Sequence, residues 1–436
     1  MRLSTVLCVI LGWLIISPSG WAQNTNGNSG SVDTPFSKVK RDNLLNGLQI
    51  VTLERPEETT IRCTIVLRGG AMFDGIGKTG LSALTQRTLL AVNPRIREEM
   101  ESLQTKVEWG IDWDKTWYHL EGPPNNFEAA LEILGRLLVV DNIRAEAFKR
   151  AQQEQIETIR AGLPVTTKAD EAFQLALYGE HPYGHSVNGS ELTVSGLRQG
   201  DLYDIFQRFY LANNASAIIV GKVTAEKALR AFKFLFGGWS KGAIVPATFR
   251  QPVSIGQARV VRIDEPKAEQ FEVRGGIAGA KYSSPEFPLT QLMAEILTQR
   301  WKKESKESVA AIGFEVERRI LPSPIVLSAR VSQAEAERIA QRLPELFAAL
   351  ASSPVGNDEL VEAQSGLNTR LAARSVEEWL RDIETFSLPR NYPLTLKSRL
   401  EAVTAAELQS LAKKLLEANA VTTVILGRGV GQTIAK

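Results

Sequence analysis

At 436 residues, 44% of them hydrophobic and 23% charged, the chain has ordinary globular composition and more length than one small core needs. Its 51 Lys and Arg against 49 Asp and Glu leave a formal charge of +2, which excludes the basic stripe of a nucleic-acid binder. Two or more domains are expected from the length.

The chain opens on a targeting pattern. Arg2 precedes an apolar run from Val6 to Ile16, and Pro18, Ser19, Gly20, Trp21 and Ala22 come after it as a small-residue exit. Residues 1–22 are therefore expected to be a secretory signal peptide cleaved near Ala22, and the protein to be exported, to the periplasm in a Gram-negative source. An uncleaved anchor is the alternative, disfavoured because about 20 apolar residues are needed to cross a bilayer. No later run approaches that length, so no membrane span is expected after cleavage. Cleavage would leave Cys63 as the one remaining cysteine, and no internal disulfide is expected. Small polar residues dominate the next stretch, and residues 23–37 read as a flexible linker.

Two series of elements then repeat. Gly47 to Leu53 alternates as a strand, turns at Pro56 and resumes from Ile61 to Leu67, with a helix expected from Gly80 to Leu90. Arg259 to Ile263 alternates likewise, turns at Pro266 and resumes from Gln270, with a helix expected from Phe287 to Lys303. Asp201-Leu202 opens a helical pattern that ends at Ala212-Asn213, and the strand Ala217 to Val220 closes on Gly221. The same series, from Glu407-Leu408 through Ala418-Asn419 to Thr423–Leu426 and Gly427, recurs at an offset of 206. Pro246 to Gly256 has linker character. The expected fold class is α+β, with two homologous domains at 38–245 and 257–436 joined by a 246–256 linker. Each is expected to be an antiparallel sheet covered by helices. The period is far too long for a solenoid.

Several motifs then carry a resemblance. They are Asn46-Gly47-Leu48-Gln49-Ile50-Val51, Leu67-Arg68-Gly69-Gly70, Phe73-Asp74 and Lys78-Thr79-Gly80-Leu81. His181-Pro182-Tyr183-Gly184, Phe209-Tyr210 with Asn213-Asn214-Ala215, and Val220-Gly221-Lys222-Val223 come next in order. Glu269-Gln270 and Val403-Thr404-Ala405-Ala406-Glu407-Leu408 complete the set. Together, over roughly residues 38 to 430, they resemble the insulinase/pitrilysin family of zinc peptidases, the inverzincins that include the processing peptidases. The resemblance implies a duplicated α+β metalloenzyme fold, and for members of this length a dimer that encloses a peptide chamber, often with one silent partner.

The family's site is H-x-x-E-H on the first long helix, two zinc-binding His with a Glu as base between them. Aligned on Gly80-Leu81, those places hold Ala83, Gln86 and Arg87. Ala83 has no lone pair, Gln86 cannot take up a proton near neutral pH, and Arg87 carries a permanent cation where a metal would sit. The third ligand of the family, a Glu, would come from Phe148 to Arg160; Glu154 and Glu157 are near, but the register falls closer to Thr158. No zinc or other cofactor is expected, and the chain is not expected to be an enzyme by its own residues. Its three histidines are His119, His181 and His185; the last two stand four apart but enclose Pro182 and Gly184, a turn rather than a ligand helix.

The resemblance also implies a substrate-holding Arg and Tyr from the second domain. Their places fall near Lys306 and near Gly313 or Phe314, although Lys306 with Lys302 and Lys303 reads more readily as a solvated basic helix end. Trp109, Trp113 and Trp117 are even-spaced and on one strand would share a face, lining either a peptide surface with Trp113 or a domain interface. The expected function is a catalytically inactive subunit that pairs with a zinc-bearing homologue and binds peptides. A stand-alone exported peptide-binding or scaffold protein, and an active metallopeptidase with displaced ligands, are the alternatives.

Overall fold

The computed structural model describes residues 36–139, 143–249, 258–304 and 312–430. The expected signal peptide, nearly all of the 23–37 linker and the greater part of the 246–256 linker lie outside the described residues. In the first half, β1 (Val39–Asn43), β2 (Gln49–Glu54) and β3 (Ile61–Arg68) lead into α1 (Leu81–Val92) and α2 (Ile96–Ser102). The hairpin β4 (Lys106–Ile111) and β5 (Lys115–Gly122) comes next, then α3 (Phe127–Leu138), α4 (Ala145–Ala161) and α5 (Val165–Tyr178). Helices α6 (Glu191–Gly196) and α7 (Gln199–Phe209), strand β6 (Ala215–Gly221) and α8 (Ala225–Phe236) complete it.

The second half repeats this order. Strands β7 (Arg259–Asp264) and β8 (Phe271–Ala278) are followed by α9 (Phe287–Glu304), β9 (Phe314–Val316) and β10 (Pro324–Val331). Helices α10 (Gln333–Ser352), α11 (Asn357–Ala372) and α12 (Val376–Phe386) correspond to α3, α4 and α5. Then come α13 (Tyr392–Ala402), α14 (Ala405–Ala418) and β11 (Thr422–Gly427). The duplication reaches the helix caps. Asp201 accepts from the Arg198 N–H at the start of α7 (2.8 Å), and Glu407 accepts from the Thr404 N–H at the start of α14 (2.9 Å), positions that differ by the same 206.

Two sheets result, ordered β1-β2-β6-β3-β5-β4 and β7-β11-β8-β10-β9. The α+β expectation holds, with one correction to the sheets. The pairs β2/β6 and β7/β11 are parallel, and the others are antiparallel. The reason is connectivity: β6 and β11 come back after a long series of helices rather than through a hairpin, so nothing forces them antiparallel to β2 and β7.

Each sheet is covered on one face by helices of its own half and on the other by a single helix from the opposite half. Helix α12 lies on the first sheet, where Leu380 packs with Val51, Leu53, Val66, Ile218 and Val220. Its equivalent α5 lies on the second, where Phe173, Ala176 and Leu177 meet Val326 and Val424. Burial on both faces explains why β6, Ala-Ser-Ala-Ile-Ile-Val-Gly, is buried along its whole length and barely alternates. Accordingly the described residues from Lys38 onward form one compact unit. The start of the expected linker is tied down as well, with the Phe249 ring 5.5 Å from that of Phe73. Among the described residues no helix is long and apolar enough to cross a membrane.

The loop from Gly70 to Gly80 sets the start of α1. Gly80 takes φ +91°, and a Cβ there would meet the Asn188 carbonyl oxygen at 2.5 Å, so only glycine fits. Asp74 then caps the helix, accepting from the N–H groups of Gly80 (2.7 Å) and Ser82 (2.8 Å) and from the Ser82 hydroxyl (2.6 Å). Burial outweighs those hydrogen bonds and pushes the Asp74 carboxyl up to about 7.

Leu380→Ala, which empties the contact of α12 with the first sheet, should lower unfolding free energy by about 2–5 kcal/mol in a urea titration. At Asp74 the unfolded chain releases the carboxyl proton near about 3.9 while the folded chain keeps it to about 7, so this group weakens the fold as pH rises between those values. Thermal midpoints measured from pH 4 to pH 7 should therefore fall less in Asp74→Asn than in the natural protein; parallel curves would refute the assignment.

Candidate functional site

The residues expected at the metal positions share one face of α1, as their i, i+3, i+4 spacing requires. Ala83 is buried against the core, presenting only a methyl group. Gln86 is also buried, and its amide nitrogen donates to the carbonyl of Gly110 at 3.0 Å and more weakly to that of Trp117 at 3.5 Å. This side chain fastens α1 to the β4–β5 hairpin instead of facing an open site. Arg87, one turn further along the face from Ala83, is half-buried. Burial lowers its affinity for its proton, and the nearby Glu154 on α4 opposes that. Zinc does not fit this donor set: one place has no donor, one turns N–H groups inward, and one is a cation. Among the described residues no three His, Cys, Asp or Glu side chains converge elsewhere.

On α4 the structure separates the three residues considered for the family's third ligand. The residue that faces Arg87 is Glu154, whereas the Thr158 hydroxyl is occupied with the Glu154 carbonyl at 2.8 Å and Glu157 accepts from Gln153 on the exposed side.

The histidines serve structure. His119 bonds Thr64 across β5 and β3 at 2.8 Å, and burial lowers its pKa. His181 accepts from the Tyr183 N–H at 3.2 Å within the short Pro182–Gly184 helical turn, and His185 Nδ1 lies 3.1 Å from the Ser186 carbonyl. Tyr183 then reaches the second half: its hydroxyl donates to Asp114 and accepts from the Leu321 N–H at 3.1 Å.

The tryptophan row does not exist as a row. Trp109 is on β4, Trp117 on β5 and Trp113 in the turn between them, so the chain reverses where a single strand was expected. The sequence Asp112-Trp113-Asp114 is that turn, with the Asp112 carboxylate accepting from the N–H groups of Asp114 and Lys115. Trp113 stands at the junction of the two halves. Its indole N–H donates to the His185 carbonyl at 3.0 Å, and the guanidinium of the buried Arg319 sits 4.3 Å from its ring. Sequence reading missed Arg319 and Asp114, since nothing local marks residues whose partners lie in the other half.

Phe314 is corrected too. It is on β9 with 6% exposure, its ring packed edge-on against Phe347 at 5.7 Å, so the side chain belongs to the core and does not reach a peptide. Lys306 lies outside the described residues.

What the region of α1 does offer is a small cavity of about 240 Å³ lined by Arg87, Arg97, Trp109, Arg150 and Glu154. The Arg97 guanidinium stacks 4.1 Å from the Trp109 ring. Beside it, β4 ends the first sheet, and among the described residues no strand pairs with its outer edge.

The family model described as peptidase M16 inactive domain matches residues 197–367. The matched span begins C-terminal to α1 and supports a non-catalytic reading of the part it covers. A crystal structure of a peptidase M16 inactive domain from Pseudomonas fluorescens is similar at 18% identity and a TM-score of 0.78, over 91% of this chain and 100% of that one. A protease from Helicobacter pylori is similar at 15% identity and 0.76, over 89% and 99%. The first half of the periplasmic protease PqqL from Escherichia coli is similar at 14% identity and 0.72, over 90% and 92%. At these identities the likeness concerns the fold, and it bears out the insulinase-type architecture expected from the motifs. The chain has the fold of the M16 peptidases, and its residues 197–367 match the model of that family's inactive domain.

Proposed function

We propose that this chain is an exported, non-catalytic M16-type subunit that pairs with a zinc-bearing homologue and contributes one wall of a peptide chamber. The observation that carries the reading is the inner face of α1, where Ala83, Gln86 and Arg87 supply neither metal donor nor base and Gln86 is committed to Gly110. Zinc brings the pKa of water from about 15.7 to about 7, and a positioned base typically adds about 10²–10⁴-fold. Neither contribution has a residue to make it at these positions. Peptide binding needs less, because a strand added to a sheet edge bonds through its backbone, and β4 leaves such an edge. The likeness to half of a protein named as a periplasmic protease supports export and a peptide ligand.

A stand-alone exported peptide-binding protein is the second reading. It is favoured by the buried Phe314, which removes an aromatic ring expected to serve a partner's substrate.

Metal analysis of the purified chain should find zinc well below one per molecule, with no chelator-sensitive peptidase activity. Co-expressed with a homologue from the same source that has an intact H-x-x-E-H, it should co-purify, and mixing the two should raise peptidase activity. No association with such homologues would leave the stand-alone reading; stoichiometric zinc with activity would overturn both.

A further inference from the structure

The cavity beside α1 is unbalanced in charge. Three guanidinium groups, Arg87, Arg97 and Arg150, share it with the single carboxylate of Glu154, and among the described residues no ion pair ties any of the three down. Arg87 is half-buried beside Glu154, and Arg97 and Arg150 stand exposed at the rim, so one carboxylate faces three cations. That surplus of positive charge marks the cavity as a place where an anion from outside belongs.

Its dimensions and position narrow the partner. At about 240 Å³ it is smaller than the roughly 300–1,000 Å³ of small-molecule pockets, and suits one side chain or one chain end. Trp109, part of its wall, is a β4 residue. A peptide added to the outer edge of β4 would run about 4.8 Å from that strand and turn alternate side chains to the Trp109 face. Guanidinium groups recognise carboxylates through two parallel N–H donors, a geometry that Lys could not supply.

We propose that this cavity binds a carboxylate of an extended peptide, so that the chain prefers peptides with an acidic side chain or a free C-terminus opposite β4. The inference rests on the peptide-binding reading above and adds a chemical class to it. In this protein the place of a metal cation is taken by fixed cations, and the ligand they draw is the anion.

The test uses the secreted full-length protein and four fluorescent peptides of one extended sequence, with Glu or Gln at one internal position and with a free or amidated C-terminus. Anisotropy titrations at low ionic strength should give about tenfold tighter binding for one of the two carboxylate forms, the value of one charge-assisted hydrogen bond. The form that shows the gain identifies whether a side chain or the chain end occupies the cavity. Arg87→Gln should bring that ratio towards one, and so should Arg150→Gln, an exposed position whose substitution keeps the test open if the first variant does not fold. Equal affinities for all four peptides, or a preference that survives both substitutions, overturn the carboxylate site and leave peptide binding standing. Failure of every peptide to bind overturns both.

Discussion

Helices α5 and α12 each lie on the sheet of the opposite half, and the burial of those two sheet faces is the constraint on which the rest of the structure depends. Neither sheet could leave that face in water. Val51, Leu53, Val66, Ile218 and Val220 on the first, and Val326 and Val424 on the second, would form apolar patches that only a second layer can cover. Because α5 and α12 are equivalent elements of the duplication, the exchange is reciprocal, and one contact cannot be loosened without exposing both parts of it. The apolar contacts are accompanied by charge. Arg41 and Ser216 donate to Glu384 of α12, and Arg62 donates to Glu377 at 2.8 Å. In the other half Asp170 of α5 meets Arg274, and Lys168 meets Glu265. Buried ion pairs add less net stability than their Coulomb attraction suggests, but breaking one partner is costly, so they fix how the helix sits on the sheet.

The same junction explains what became of the sequence's most prominent side chains. Tyr183, Trp113 and Asp114 belong to loops of the first half that meet Arg319, Ile320 and Leu321 of the second, and His181 packs against Tyr183. Aromatic rings, a buried guanidinium and backbone N–H groups meet there, and the His-Pro-Tyr-Gly turn is held by the Tyr183 bonds. An arrangement that resembles a ligand spacing in one dimension is a fastener in three.

On α1 the change of chemistry leaves the architecture intact. Gly80 and Asp74 start the helix where the motifs place it, and Gln86 holds the β4–β5 hairpin with its amide. A glutamine suits that task because its N–H groups can donate to the Gly110 carbonyl, which a carboxylate could not. Arg87 then faces Glu154 and the small cavity, which places a cation on the same face of α1.

The sequence by itself determined the duplicated series of strands and helices, the α+β class and the identities of Ala83, Gln86 and Arg87, because alternation, glycine turns and helix caps act over a few neighbouring residues. The offset of 206 between Asp201-Leu202 and Glu407-Leu408 is the plainest case, and the structure adds that the caps at Arg198–Asp201 and Thr404–Glu407 keep it. Tertiary structure alone decided the parallel pairing of β2 with β6, the hairpin that separates Trp109 from Trp117, the burial of Phe314 and the choice of Glu154 over Thr158 as the residue facing Arg87. Each of those depends on which distant segment fills the neighbouring space. The exchange of α5 and α12 is the extreme instance: both helices carry their apolar residues openly in the sequence, but only packing shows whose sheet those residues cover.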